Sequence, residues 1–310
     1  MGRRILITGG AGNVGASLAR GLLRDPDNAV TVIDDLSTGE AWKLPPPTPN
    51  FTFVQADAND WQDIAPVFTA GRFDHVFHYA AVVGVQRTLD NPLDVLDDIK
   101  GIENILRLAK STGVRRVFFS SSSEVYGEPV EIPQHEDTTP LNARLPYAIV
   151  KNVGEAYLRS FRQTFGLDYT ILRFFNTYGP LQSKDFVVSK FIRLALAGDP
   201  ITVYGDGAQT RTFCHANDNI DFTLKLLDAD MGINQTINVG SDAEITVLEL
   251  ARTIIRLTGS TSEIRHLPPL PEGDMTRRKP DISRMKAILG RDLIPLEEGL
   301  QDCIAALSGG

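Results

Sequence analysis

The chain has 310 residues, 42% hydrophobic and 23% charged, an ordinary globular composition with length enough for two lobes. Asp and Glu number 39 against 31 Lys and Arg, a net charge of -8, which excludes a general nucleic-acid binder. Two cysteines without a CxxC, no histidine cluster, and no apolar run long enough for a signal peptide or a membrane span point to a cytoplasmic protein with no disulfide framework, metal or membrane partner.

In chain order, "RRILIT", "AVTVID", "FTFVQA", "FDHVFHYA", "RRVFFSS" and "DYTILRF" are short, nearly continuous apolar runs, as strands buried on both faces of a parallel sheet should be. Between several of them lie stretches such as "GASLARGLLRD" and "IENILRLAKST", with apolar residues at helical spacing. Strands alternating with helices predict an α/β, Rossmann-type doubly wound parallel sheet. "LPPPTPN" is a surface loop. Beyond residue 176 the pattern turns irregular: "VVSKFIRLALAG", "ITVYG", "QTINVGS", two further helices and the proline-rich "HLPPLPEGD". The expected division is an NAD-binding domain over 1–176 and a smaller, mixed α/β substrate lobe over 177–310. Strand and helix segments from about 211–258 are candidates to rejoin the first domain.

"ITGGAGNVG" follows the first strand and opens a helix, with Gly9, Gly12 and Gly15 spaced as GxxGxxG. Glycines allow a tight turn and close backbone approach, and the helix N-terminus offers free N–H groups to a pyrophosphate. Asp34, nineteen residues after Gly15, suits the adenosine ribose hydroxyls and repels a 2′-phosphate, favouring NAD over NADP. Asp57 faces the adenine amino group or caps its strand; the residues leave both open.

The fifth strand runs into "FFSSSSEVYG", and "PYAIVK" opens a later helix. Tyr147 and Lys151, four apart, share one helical face. An ammonium beside a phenol favours phenolate, which can take a proton from an alcohol as hydride leaves the carbon. A serine hydroxyl would hold the same substrate oxygen. The basic cluster at Arg277–Pro280 suits a single anionic ligand.

With these motifs the chain resembles the extended short-chain dehydrogenase/reductases that modify nucleotide sugars: the UDP-galactose 4-epimerases, UDP-glucuronate decarboxylases and dTDP-glucose 4,6-dehydratases. The resemblance runs nearly end to end, through "TGGAGNVG", "HYAAVVGV", "SSSEVYGE", "PYAIVKNVGE", "RFFNTYGP", "YGDGAQTRTF" and "GDMTRRKPDISRMKAILG". It implies Ser122 as hydroxyl partner, Tyr147 as base and Lys151 as its modulator, with Glu124 beside them. For the cofactor it implies Gly9, Gly12, Asn13, Val14, Gly15, Asp34, Asp57 and Ala80, with Tyr147 and Lys151. For the substrate it implies Ser122, Ser123 and Asn176, with Val188 and Tyr204 near the base and Arg211 and Arg277 on the diphosphate; Arg278 is the neighbouring candidate. A homodimer built on helices around 92–111 and 146–166 is implied as well. Three positions depart from the family pattern: Asn13 replaces an aromatic, Val150 a serine, and Asp98 an asparagine.

The shared first step is oxidation at sugar C4 to a 4-keto intermediate. Ser123-Glu124 stands where dehydratases carry Asp-Glu, which disfavours 4,6-dehydration. Glu124 and Arg211 are similar to the decarboxylases, whereas "YAIVKN" is closer to the epimerases than to the decarboxylases' "YDEGKR". The reading leans to an NAD-dependent nucleotide-sugar 4-epimerase, with a UDP-glucuronate-type decarboxylase as alternative. A hydroxysteroid-type dehydrogenase and a non-catalytic NAD-binding regulator stand further off.

Overall fold

The computed structural model describes residues 2–269 and 277–309, so the stretch "HLPPLPEGD" and the first residues of "GDMTRRKPD" run outside the described residues. The first half supplies β1 (Arg4–Thr8), α1 (Asn13–Leu22), β2 (Ala29–Asp34), β3 (Phe51–Gln55), α2 (Trp61–Gly71), β4 (His75–His78), α3 (Val85–Asp90), α4 (Pro92–Thr112), β5 (Arg116–Ser122), α5 (Pro146–Phe165) and β6 (Asp168–Phe174). The second half supplies β7 (Thr177–Tyr178), α6 (Val187–Ala197), β8 (Ile201–Tyr204), β9 (Thr210–Thr212), β10 (Cys214–His215), α7 (Ala216–Asp228), β11 (Gln235–Val239), β12 (Glu244–Thr246), α8 (Val247–Thr258), β13 (Ile264–Leu267), α9 (Ser283–Leu289) and α10 (Leu296–Ser308).

Seven strands form one parallel sheet in the order β3-β2-β1-β4-β5-β6-β11. Strand order reverses between β1 and β4, and a crevice opens there beyond the carboxyl ends of the strands. Side chains alternate across the sheet, as the two-residue period of a strand requires. Leu6, Val76 and Phe119 face α2, α4 and α5, and join Phe68, Ile105 and Leu158 in one core layer. Ile7, Phe77 and Phe118 face the other way, and meet Leu18 of α1, Phe222 of α7 and Met285 of α9. Each such fully buried side chain contributes about 1.5–3 kcal/mol.

β11 and α7 belong with this sheet although they follow the start of the second lobe: β11 pairs with β6 and α7 packs on α1. The remaining elements form a smaller core around Phe191, Val203, Leu250 and Leu300, with short strand pairs β7–β10, β9–β12 and β8–β13. Cys214 and Cys303 are buried free thiols. No helix among the described residues is long and apolar enough to cross a membrane.

α5 carries Tyr147 and Lys151, and its ends are well defined locally. Pro146 occupies its first turn and Gly166 takes the left-handed conformation that closes it. α4 packs along α5 and leaves Leu93, Leu96 and, on α5, Ile149 exposed.

Candidate active site

The turn after β1 can be built only with glycine at two points. Gly9 has φ +70°, and a Cβ there would lie 2.6 Å from the Ala80 amide nitrogen. A Cβ on Gly15 would lie 2.3 Å from the Gly9 carbonyl oxygen. The loop therefore presses against the β4 end and aims the α1 N-terminus into the crevice. Gly12, Asn13 and Val14 line it alongside Gly9 and Gly15, with Asp34, Asp57 and Ala80 further along the same cleft. Asn13 Oδ1 is buried without a partner among the described residues. An extended dinucleotide fits these features: a glycine cradle open to phosphates, an orphan polar atom at the helix start, and a carboxylate at the β2 end.

Asp34 does two things at once. Its Oδ2 accepts from the Ala11 amide at 2.9 Å and its Oδ1 from Leu36 at 2.9 Å, so the carboxylate braces both loops while lining the cleft. Burial raises its pKa, partly offset by those two amides. Asp57 accepts from Asn59 N at 2.8 Å, as a strand-end cap does, and it also borders the cleft.

At the other end of the cleft, Ser122 closes β5, and Tyr147 projects toward it from α5 as its hydrogen-bonding partner. Ser123, Glu124 and Asn176 line the same wall. Lys151 lies behind Tyr147, only 3% exposed, with Nζ 3.5 Å from Ser120 Oγ and 5.6 Å from the Tyr147 ring centre. Burial lowers the Lys151 pKa to about 8, against the opposing pull of Asp98. The expected lowering of the Tyr147 phenol by Lys151 is not what the protein alone produces. Burial first, and then the Glu124 carboxylate, push that phenol above its ordinary range; the Ser122 hydrogen bond and Arg278 pull the other way. Enclosure outweighs the nearby cations because it withholds water from a phenolate.

A buried ion network holds this wall in place. Glu155, one turn beyond Lys151, accepts from Arg173 Nε at 2.8 Å, from Arg173 Nη2 at 2.8 Å and from Ser121 Oγ at 2.7 Å. Arg173 continues to the Tyr126 hydroxyl at 2.8 Å, which donates to Asn238 of β11 at 2.8 Å. Thus β5, α5, β6 and β11 are tied together directly beneath Ser122. The sequence signal was a charged residue inside the apolar run "DYTILRF".

Other expected substrate residues do not reach the cleft. Val188 is buried among Phe191 and Leu250 in the core of the smaller lobe, so its side chain is closed to a nucleotide base. Tyr204 lies under Lys190, with Nζ 6.0 Å from its ring centre, and does not line the cleft. Arg211, on β9, donates to the Thr210 carbonyl at 2.7 Å and is also absent from the lining. Arg277 makes a two-pronged ion pair with Glu244, at 2.6 and 2.7 Å, on an exposed face. The neighbouring Arg278 points inward instead: it lines the cleft, is 7% exposed, and lies 3.7 Å from Glu124.

The segment carrying Arg278 is held by main-chain pairing with the loop before α5. Gln134 N donates to Lys279 O and Asp281 N donates to Gln134 O, each at 2.8 Å. His135, Glu136 and Asp281 gather there with ligand-type atoms within 4.8 Å of one another. Each also accepts a main-chain amide, from Asp137, Asn238 and Ser283 respectively, which accounts for the cluster as a brace.

Comparison with known proteins matches this architecture. A family model described as the NAD dependent epimerase/dehydratase family matches residues 5–240. UDP-glucuronic acid decarboxylase 6 of Arabidopsis thaliana is 35% identical over 307 residues, covering 96% of this chain and 86% of that protein. UDP-glucose 4-epimerase of Mycolicibacterium smegmatis is 34% identical, covering 96% of each. The structure of Thermus thermophilus UDP-glucose 4-epimerase in complex with NAD superposes with a TM-score of 0.91 at 29% identity, covering 99% of both chains. Identity this even does not separate one reaction from the other, but the glycine cradle and end-to-end coverage leave no ambiguity above that level. The chain belongs to the NAD-dependent epimerase/dehydratase family, as an NAD-binding enzyme of its nucleotide-sugar epimerase, decarboxylase and dehydratase group.

Proposed function

We propose that this enzyme oxidises the C4 hydroxyl of a nucleotide-linked uronic acid and then releases its carboxyl group as CO2. The observation that carries the second half is Arg278, an enclosed guanidinium at the Ser122–Tyr147 end of the cleft. A cation at the sugar end suits a uronate carboxylate, a group that a neutral hexose does not offer. When bound, NAD supplies the hydride acceptor and a positive charge beside the phenol. Tyr147 takes the C4 hydroxyl proton, and Ser122 holds the same oxygen. The resulting ketone is β to the carboxylate, so the electrons of the breaking C5–carboxyl bond pass to the C4 oxygen. The Ser122 hydroxyl and the reprotonated Tyr147 donate to that oxygen as it becomes an enolate. Arg278 holds the carboxylate in register until CO2 departs; uptake of a proton at C5 and return of the hydride to C4 then complete the pentose.

The 4-epimerase reading keeps support from one feature. Glu124 already faces Arg278 at 3.7 Å, and a pair closed on itself would leave a neutral sugar free to turn over. A panel of nucleotide sugars followed by NMR separates the two. A pentose with released CO2 from a uronate is expected, and Arg278→Gln should cut that turnover about 100-fold, the size of losing a charge-assisted contact. Inversion at C4 of a neutral hexose, unaffected by Arg278→Gln, would favour epimerisation instead.

A further inference from the structure

We propose that Asn238 is a positioning residue for Arg278: its buried side-chain amide ties down the segment that carries this guanidinium into the cleft. The inference rests on the reading of Arg278 given above. Asn238 lies near the end of β11, is 0% exposed, and stands beside Arg173 in the β6–β11 register. A primary amide buried this deeply is stable only where its oxygen and its N–H groups all find partners. Those of Asn238 do. Oδ1 accepts from the Tyr126 hydroxyl at 2.8 Å, while Nδ2 donates to the Gln134 carbonyl at 2.9 Å and to the Asp281 carbonyl at 3.2 Å.

These two carbonyls belong to the two stretches of chain whose pairing holds Arg278. Gln134 lies in the loop before α5 and Asp281 lies just beyond Arg278. They are joined by the main-chain bonds Gln134 N to Lys279 O and Asp281 N to Gln134 O. The main-chain N–H of Asn238 adds another tie to the same loop, donating to Glu136 Oε1 at 2.9 Å. The Gln134 side chain gives no such help, because its Oε1 and Nε2 are buried without a hydrogen bond among the described residues. The segment's own side-chain ties lie toward the surface: Arg277 and Lys279 to Glu244, and Arg284 to Asp137. Exposed ion pairs of that kind contribute little. One buried amide therefore sets where the segment sits, and Arg278 is the residue that the segment delivers to the cleft wall.

An amide that only filled the core would act like its partner Tyr126. Tyr126→Phe removes the hydroxyl that links Asn238 to Arg173, but leaves both carbonyl bonds in place. Asn238→Ala removes the carbonyl bonds themselves. The two variants disturb one buried network on opposite sides, so they separate positioning of the segment from general support of the core.

Amide hydrogen exchange in the whole chain reads the placement directly. The Gln134 and Asp281 amides are expected to exchange about 10-fold faster or more in Asn238→Ala, while Val76 and Phe77 of β4 hold their rates. In Tyr126→Phe, Gln134 and Asp281 should keep the parent rates. Turnover of UDP-glucuronate reads the consequence. The loss on Arg278→Gln should shrink from about 100-fold in the parent to a few-fold in the Asn238→Ala background, because a displaced guanidinium has less to lose. NAD binding should be retained in both backgrounds. Unmoved Gln134 and Asp281 amides overturn the proposal, as does equal acceleration in Tyr126→Phe. An Arg278→Gln loss of the same size in both backgrounds overturns it too. A parent enzyme indifferent to Arg278→Gln counts against the decarboxylation reading instead, and the exchange rates still decide what places the segment. Should Asn238→Ala fold poorly, Asn238→Ser, too short to reach both carbonyls, decides the question by the same exchange.

Discussion

Tyr147→Phe is expected to slow turnover on the order of 10³-fold, the typical contribution of a positioned general base, while NAD binding is retained. The phenol oxygen is the one atom removed, and the ring keeps its packing against the α4–α5 core layer. Its partner Ser122 would still close β5 and cap the following turn through the Glu124 amide at 3.2 Å. Equilibrium binding of NAD and single-turnover kinetics on the nucleotide sugar check the two halves separately. Turnover within a few-fold of the parent enzyme would remove Tyr147 from the chemistry. Because the protein alone raises the Tyr147 pKa, the parent enzyme should ionise this phenol readily only with the positively charged cofactor beside it.

The second large effect is on stability. Glu155→Ala should lower the unfolding free energy by about 3–5 kcal/mol, because it leaves the Arg173 guanidinium buried and unpaired. Glu155 is 0% exposed and Arg173 is 2% exposed, so water cannot replace the missing partner. Burial acts to raise the Glu155 carboxyl, but the hydrogen bonds and charge of Arg173, the Ser121 hydroxyl and Arg159 outweigh it, and the pKa is lowered. A carboxyl depressed on folding stabilises fully above its unfolded pKa, and that contribution is lost as the pH falls through the folded value. The gap between variant and parent in urea midpoint should therefore be wide at neutral pH and narrow well below the ordinary carboxylate range. An equal gap at all pH values would assign the loss to packing instead.

Much of the fold was legible because its strands are buried on both faces. "RRILIT" and "RRVFFSS" announce themselves as apolar runs, and the turn glycines are required by contacts a Cβ would violate. α7 and β11 fall within the 211–258 segments expected to rejoin the first sheet, although pairing β11 with β6 joins residues 65 positions apart, which no local pattern encodes. Ser122, Tyr147 and Lys151 were readable as a group from spacing on α5 and position at the β5 end, and the structure brings them close together.

The residues expected at the substrate divide between the cleft wall and other faces. Arg277 and Arg278 are adjacent, and successive side chains of an extended segment point to opposite sides. Arg277 turns out to Glu244 and Arg278 turns in to Glu124; a motif names the segment but does not say which neighbour lines the cleft. The Val188 side chain faces the core of its own lobe.

The central claim is that a C4 hydride leaves the sugar and returns to it at a site built from Ser122, Tyr147 and Lys151. The most direct measurement uses a nucleotide sugar deuterated at C4, quenched through a single turnover, with cofactor and product read by mass spectrometry. Deuterium passing transiently onto the nicotinamide and then back to C4 of the product, more slowly than protium, is the predicted result. Product formed with no deuterium ever reaching the cofactor would contradict it.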